Sequence, residues 1–104
     1  MRVFGTIVED ETGKPLEGLR VRALDKDFLF DDRLGDAVTD AQGRFDIDYS
    51  EAYSRDFNET EPDIYIRVFD PCGEKLLYST ERAVRWNSLV NEKFDVRISK
   101  ALLG

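Results

Sequence analysis

The sequence predicts an all-β fold, a seven-stranded antiparallel sandwich, and three observations carry that expectation. Apolar and polar residues alternate with period two along most of the chain, the signature of half-buried strands. Turn signals separate these runs at short intervals. The 104 residues, 41% of them hydrophobic and 12% aromatic, match one domain with one core, so residues 1–104 are read as a single unit.

The strands follow in order. Residues 2–9 alternate Val3, Gly5, Ile7 with Phe4, Thr6, Val8, and 19–25 set Leu19, Val21, Ala23 against a wetter side of Arg20, Arg22, Leu24. A short strand at 35–39 precedes 44–49, where Phe45, Ile47, Tyr49 alternate with Arg44, Asp46, Asp48. Segment 63–70 is the most apolar, with Ile64, Ile66, Val68 on one side and Tyr65, Arg67, Phe69 on the other, which reads as a central strand. Segments 75–79 and 92–98 complete the count, the last alternating Phe94, Val96, Ile98 with Lys93, Asp95, Arg97. Residues 50–58 break the pattern: Ser50 suits an N-cap, and Tyr53 and Phe57 stand four apart, so one short helix is expected there.

Three junctions share the form Asp-x-x-Gly: Asp10 to Gly13, Asp40 to Gly43 and Asp70 to Gly73. Asp opens a type I turn by accepting a backbone N–H two residues on, and Gly supplies the left-handed residue that returns the chain to its ladder. The last two are expected to be tight hairpins, and the first to lead into a longer bend through Lys14–Gly18. Their equal spacing is not a repeat, because the stretches between them do not align.

Composition narrows the chemistry. The chain has no histidine, which removes Ser-His-Asp and Cys-His catalysis and His-ligated zinc or iron. The net charge of -7 disfavours nucleic acid as a partner. The single cysteine, Cys72, rules out an internal disulfide and falls in an expected turn with no histidine to activate it. No apolar run approaches the ~18 residues of a membrane span. With no signal-like N-terminus, the chain as it stands is expected in the cytoplasm, and outside it if it is a fragment of a longer secreted protein.

The motifs Val3-x-Gly5-x-Ile7, Thr12-Gly13-Lys14-Pro15-Leu16-Glu17-Gly18, and Thr39-Asp40-x-x-Gly43-Arg44-Phe45 resemble transthyretin-like (prealbumin-like) and carboxypeptidase-regulatory-like domains. The resemblance runs from Val3 to about Ser79 and implies a Greek-key sandwich of seven strands. It does not extend to the catalytic branches. Hydroxyisourate hydrolases use histidines and a C-terminal Tyr-Arg-Gly-Ser, whereas this chain has no histidine and ends Lys100-Ala101-Leu102-Leu103-Gly104. Intradiol dioxygenases need two iron-binding histidines, and isopeptide-forming adhesin domains a lysine on the first strand, where this chain has Arg2. The resemblance therefore implies an accessory module.

Two clusters are candidate sites. The first is acidic: Asp25, Asp27, Asp31 and Asp36 occupy positions one, three, seven and twelve of an EF-hand-like spacing, but Leu29 and Phe30 stand where a ligand and a glycine are needed. A different geometry, with Asp25, Asp27 and Asp31 joined by Asp70 at one tip of the sandwich, would hold Ca²⁺ weakly or serve a small-molecule hydrolase. The plainer reading is a solvated loop, its carboxylates capping turns and pairing with Lys26 and Arg33. The second is apolar: Phe28, Leu29 and Phe30 either plug the core or dock a partner, and Trp86, between Arg85 and Asn87, either stacks on a ligand or packs against the sandwich. No cofactor is required. The function expected is a non-catalytic module mediating protein–protein contact or self-association, with the cation-binding or hydrolytic tip as the alternative.

Overall fold

The structure, a computed structural model, describes residues 2–26, 32–49, 63–84 and 91–103, and of Asp32 the backbone only. Seven strands form where period-two alternation placed them: β1 (Arg2–Glu9), β2 (Arg20–Asp25), β3 (Asp32–Val38), β4 (Arg44–Asp48), β5 (Ile64–Phe69), β6 (Leu76–Ser79) and β7 (Glu92–Ile98). A 3₁₀ turn at Glu81–Ala83 follows β6, and a single helical turn, α1 (Lys100–Leu103), follows β7. The helix expected at 50–58 lies outside the described residues.

Two sheets pack face to face, one ordered β4-β1-β7 and the other β3-β2-β5-β6. The alternating apolar residues meet between them. Val3, Ile7, Val21, Ile64, Ile66, Val68 and Ile98 are fully buried, with Phe45, Ile47, Phe94 and Val96 beside them. β5 lies between β2 and β6, so it is a central strand, and its outward residues Tyr65 and Phe69 are buried as well.

Two expectations are corrected. Not every pair is antiparallel: β1 and β7 run parallel, with Gly5 opposite Phe94. The approach is close enough that a Cβ on Gly5 would lie 1.7 Å from the Phe94 carbonyl oxygen. Period-two alternation is the same in either direction, so only the long-range pairing of the chain's first and last strands sets the sense.

The turn from Asp40 to Gly43 is also not a hairpin. It joins β3 to β4, which belong to different sheets, and so forms a corner of the sandwich. The Asp40 carboxylate accepts the N–H of Gln42 and of Arg44, both at 2.9 Å, and the Gly43 N–H closes on the Asp40 carbonyl. Gly43 has φ 73° and a Cβ there would meet the Ile7 carbonyl at 2.5 Å, so the corner is pressed against β1. Buried Thr39 fixes the other side by accepting the Leu19 N–H at its hydroxyl (2.9 Å) and donating its own N–H to the Leu19 carbonyl.

The Asp70–Gly73 turn is the expected hairpin between β5 and β6. In the first turn the aspartate does something else. The Asp10 carboxylate accepts Arg97 Nε at 2.8 Å and its N–H donates to the Ile98 carbonyl, tying the loop to β7.

Candidate functional site

The structure separates Asp25 from Asp70, two of the acidic residues proposed as one tip. β2 and β5 are antiparallel, with Asp25 opposite Ile64, so Asp25 ends β2 at one end of the sandwich while Asp70 follows β5 at the other. Six residue steps at ~3.3 Å put them roughly 20 Å apart. The physical reason is strand direction: both residues end strands, but antiparallel neighbours end at opposite tips. A site built on Asp25, Asp27 and Asp70 together is therefore not formed.

Asp70 is committed to its turn. Its carboxylate accepts the N–H of Glu74 (2.9 Å) and of Lys75 (3.3 Å), and these bonds hold its pKa below the usual carboxylate range. Asp25 is buried and accepts the Asp63 N–H at 2.9 Å, closing the mouth between β2 and β5. Asp27, Asp31, Phe28, Leu29, Phe30 and Trp86 lie outside the described residues. Among the described residues no three acidic or cysteine side chains group as a metal site.

At the Asp25 end, Tyr49 brings a polar group inward without a partner. Its hydroxyl is buried and makes no hydrogen bond. Burial, then the charges of Asp25 and Glu92, push its pKa up to about 12. The folded pKa exceeds the unfolded value of ~10, so the Tyr49 contribution is intact below pH ~10 and is lost as pH rises toward 12. Tyr49→Phe is expected to leave the melting temperature at neutral pH unchanged or higher and to flatten the alkaline loss. A loss above about 1 kcal/mol at neutral pH would mean that the hydroxyl has a partner after all.

The outer face of the four-stranded sheet carries a different constellation, which the sequence reading passed over. Register places Val38, Arg20 and Phe69 in one row across β3, β2 and β5, with Asp36, Arg22 and Arg67 in the next. Leu76 of β6 continues the first row, opposite Phe69. Three guanidinium groups converge on Asp36, whose side chain is only 11% exposed. Arg22 donates through Nε at 3.1 Å and Nη2 at 3.4 Å, and Arg33 through Nε at 3.2 Å and Nη2 at 2.7 Å. Arg20 approaches no nearer than 3.9 Å, and its Nε is buried with no hydrogen-bond partner.

Along the same face Glu81 takes Lys26 at 2.7 Å and Arg67 at 3.3 Å, and both cations hold its pKa below the ordinary range. Aromatic rings support the cations. Arg22 lies 4.9 Å from the Phe69 ring centre, and Arg67 and Lys26 lie 5.5 and 5.9 Å from that of Tyr65. Among the described residues five cations thus face two carboxylates, on a molecule whose net charge is -7. Val38 and Leu76, 54% and 49% exposed, flank this surface at its two edges.

The opposite face, on β4-β1-β7, holds an open groove of about 640 Å³ that reaches from Phe4 and Lys93 to Val38. There Arg2 pairs with Asp46 through two bonds of 2.7 and 3.0 Å while lying over Phe4, and Asp95 takes Thr6 and Lys93.

Comparison with known proteins agrees with this architecture. A family model described as TTR-52, transthyretin-like family, matches residues 12–87, a span holding β2 through β6. No curated protein matches the chain. Among solved structures, a 9R-lipoxygenase from Cyanothece PCC8801 superposes with a TM-score of 0.67 over 91% of this chain at 24% identity, a likeness of fold. The chain spans only 16% of that lipoxygenase. Two sheets ordered β4-β1-β7 and β3-β2-β5-β6, and a family match over most of the sequence, lead to one conclusion: the chain belongs to the transthyretin-like family.

Proposed function

We infer that this transthyretin-like sandwich is a non-catalytic accessory module that works by binding another protein, and that its contact surface is the outer face of β3-β2-β5-β6. The observation that carries the reading is the composition of that face. Arginine is among the residues that dominate the energetics of protein interfaces, and here Arg20, Arg22, Arg33 and Arg67 stand on rigid strands, Arg22 and Arg67 held over the buried rings of Phe69 and Tyr65, with exposed Val38 and Leu76 at the edges. The lipoxygenase neighbour supports the modular part of the reading, since there a sandwich of this shape is a small fraction of a much larger chain.

Site-specific photo-crosslinking tests it. A crosslinker at Leu76, away from the groove of the other sheet, or at Val38, on the edge shared with that groove, is expected to give discrete protein adducts in an extract of the source cells, while one at Asp95 on the other sheet gives few. Adducts of twice the chain's mass would identify self-association through the same face. Equal labelling from all three positions would contradict the assignment of the surface.

A further inference from the structure

Resting on that reading of the face, we propose that its partner presents an acidic segment, a stretch of chain in which carboxylates alternate with apolar side chains, and that one of those carboxylates completes the Arg20–Arg22–Arg33 cluster. The two oxygens of Asp36 are already occupied by Arg22 and Arg33, at distances between 2.7 and 3.4 Å. Arg20 is left with a single contact of 3.9 Å, made through Nη1, while its Nε is buried against the Asp70–Gly73 turn, so the open Nη end is what a partner meets. Three planar, permanently charged groups around one carboxylate have donors and charge for a second oxyanion, and guanidinium forks match carboxylates in two-bond geometry.

Arg20 is held for that purpose. Its side chain lies along the Asp70–Gly73 turn, where a Cβ on Gly73 would meet its Nε at 3.0 Å and its Cδ at 3.1 Å, so the turn fixes the stem while 38% of the side chain stays open to solvent. The apolar half of the segment is specified by the same row. Exposed Val38 and Leu76 lie on either side of Arg20, with buried Phe69 between Arg20 and Leu76, and the four strands at ~4.8 Å spacing give the row a width of about 14 Å.

An anionic membrane or a nucleic acid offers oxyanions too, but each presents an extended negative surface. Bringing a chain of net charge -7 within a Debye length, ~8 Å at physiological salt, sets the rest of the molecule against that surface. A peptide segment meets the five cations and two carboxylates that the described residues place on this face. The local surplus of positive charge then steers association without a global penalty.

The probe is a short capped peptide alternating glutamate and leucine, labelled with a fluorophore, and its counterpart with glutamine for glutamate. Binding to the full chain is measured by fluorescence anisotropy at two salt concentrations. The glutamate peptide is expected to bind at least tenfold tighter than the glutamine peptide and to weaken with salt. Arg20→Gln is expected to cost about tenfold in affinity. Arg44→Gln, on the other sheet, is expected to leave affinity unchanged, and melting curves confirm that both variants fold. Equal affinity for the two peptides, no effect of Arg20→Gln, or tighter binding to phosphatidylserine vesicles or to duplex DNA than to the glutamate peptide would each overturn the proposal. Crosslinks concentrated at Val38 and Leu76 would in that case still uphold the protein-binding face, so the two failures are distinguishable.

Discussion

Gly5→Ala is expected to destabilise the fold more than any other single-methyl change in the chain. The added carbon would sit 1.7 Å from the Phe94 carbonyl oxygen, 2.6 Å from its carbon and 2.9 Å from its nitrogen, all backbone atoms that no rotamer change can move aside. β1 must therefore separate from β7, and that parallel ladder runs from Val3 opposite Glu92 to Glu9 opposite Ile98. Overpacking and backbone strain each cost about 1–3 kcal/mol, so a loss on the order of 4 kcal/mol is expected, or roughly 20 °C in melting temperature for a domain of this size. Gly13→Ala is the control. Gly13 has φ 75° but nothing within 4 Å of an added Cβ, so only the conformational cost of about 1 kcal/mol applies. Chemical denaturation of both variants checks the difference, and similar losses would mean that β1 and β7 do not approach as closely as described.

Tyr65→Ala is the second large effect, for a different reason. Tyr65 is fully buried although it points away from the core between the sheets. Truncating a buried aromatic costs about 3–5 kcal/mol. Its ring also supports Arg67 and Lys26, the two cations that hold Glu81. The expected result is a cooperative but much weaker unfolding transition, together with loss of the Arg67 and Lys26 contacts to Glu81. A loss below about 1 kcal/mol would show that Tyr65 is covered less completely than its burial indicates.

Strand existence was legible in the sequence because alternation is local. Residues 2–9 and 92–98 match β1 and β7 without a shift, β4 and β6 differ from expectation by a residue at one end, and β5 by a residue at each end. β3 starts three residues before its expected position: Asp32 and Arg33 carry no alternation, and a bulge between Ala23 and Leu24 of β2 shifts their register. Pairing was not legible, since it depends on residues far apart in the chain. The Thr39–Arg44 motif looked like a hairpin because its turn chemistry is the same whether the next strand stays in the sheet or crosses to the other.

The candidate sites show the same limit. Asp25 and Asp70 seemed to converge because both end strands, and the antiparallel β2–β5 register that parts them has no signature in either segment. The arginine face was missed although its parts were visible: Arg20 and Arg22 on the wetter side of one strand, Arg67 flanked by Tyr65 and Phe69 on another. Only adjacency of β2 and β5 makes them one surface, and only β3 brings Arg33 and Asp36 to it. Two basic strands with matching alternation, taken as candidate neighbours, would have been the signal.

Backbone amide shift mapping on the isotope-labelled chain, titrated with the glutamate–leucine peptide, tests whether the arginine face is where an acidic segment docks. The largest changes are expected at Arg20, Arg22, Arg33, Asp36, Val38 and Leu76, with β4, β1 and the Asp25–Glu92 end little affected. Changes centred on Arg2, Phe4 and Lys93 in the groove of the other sheet would contradict it.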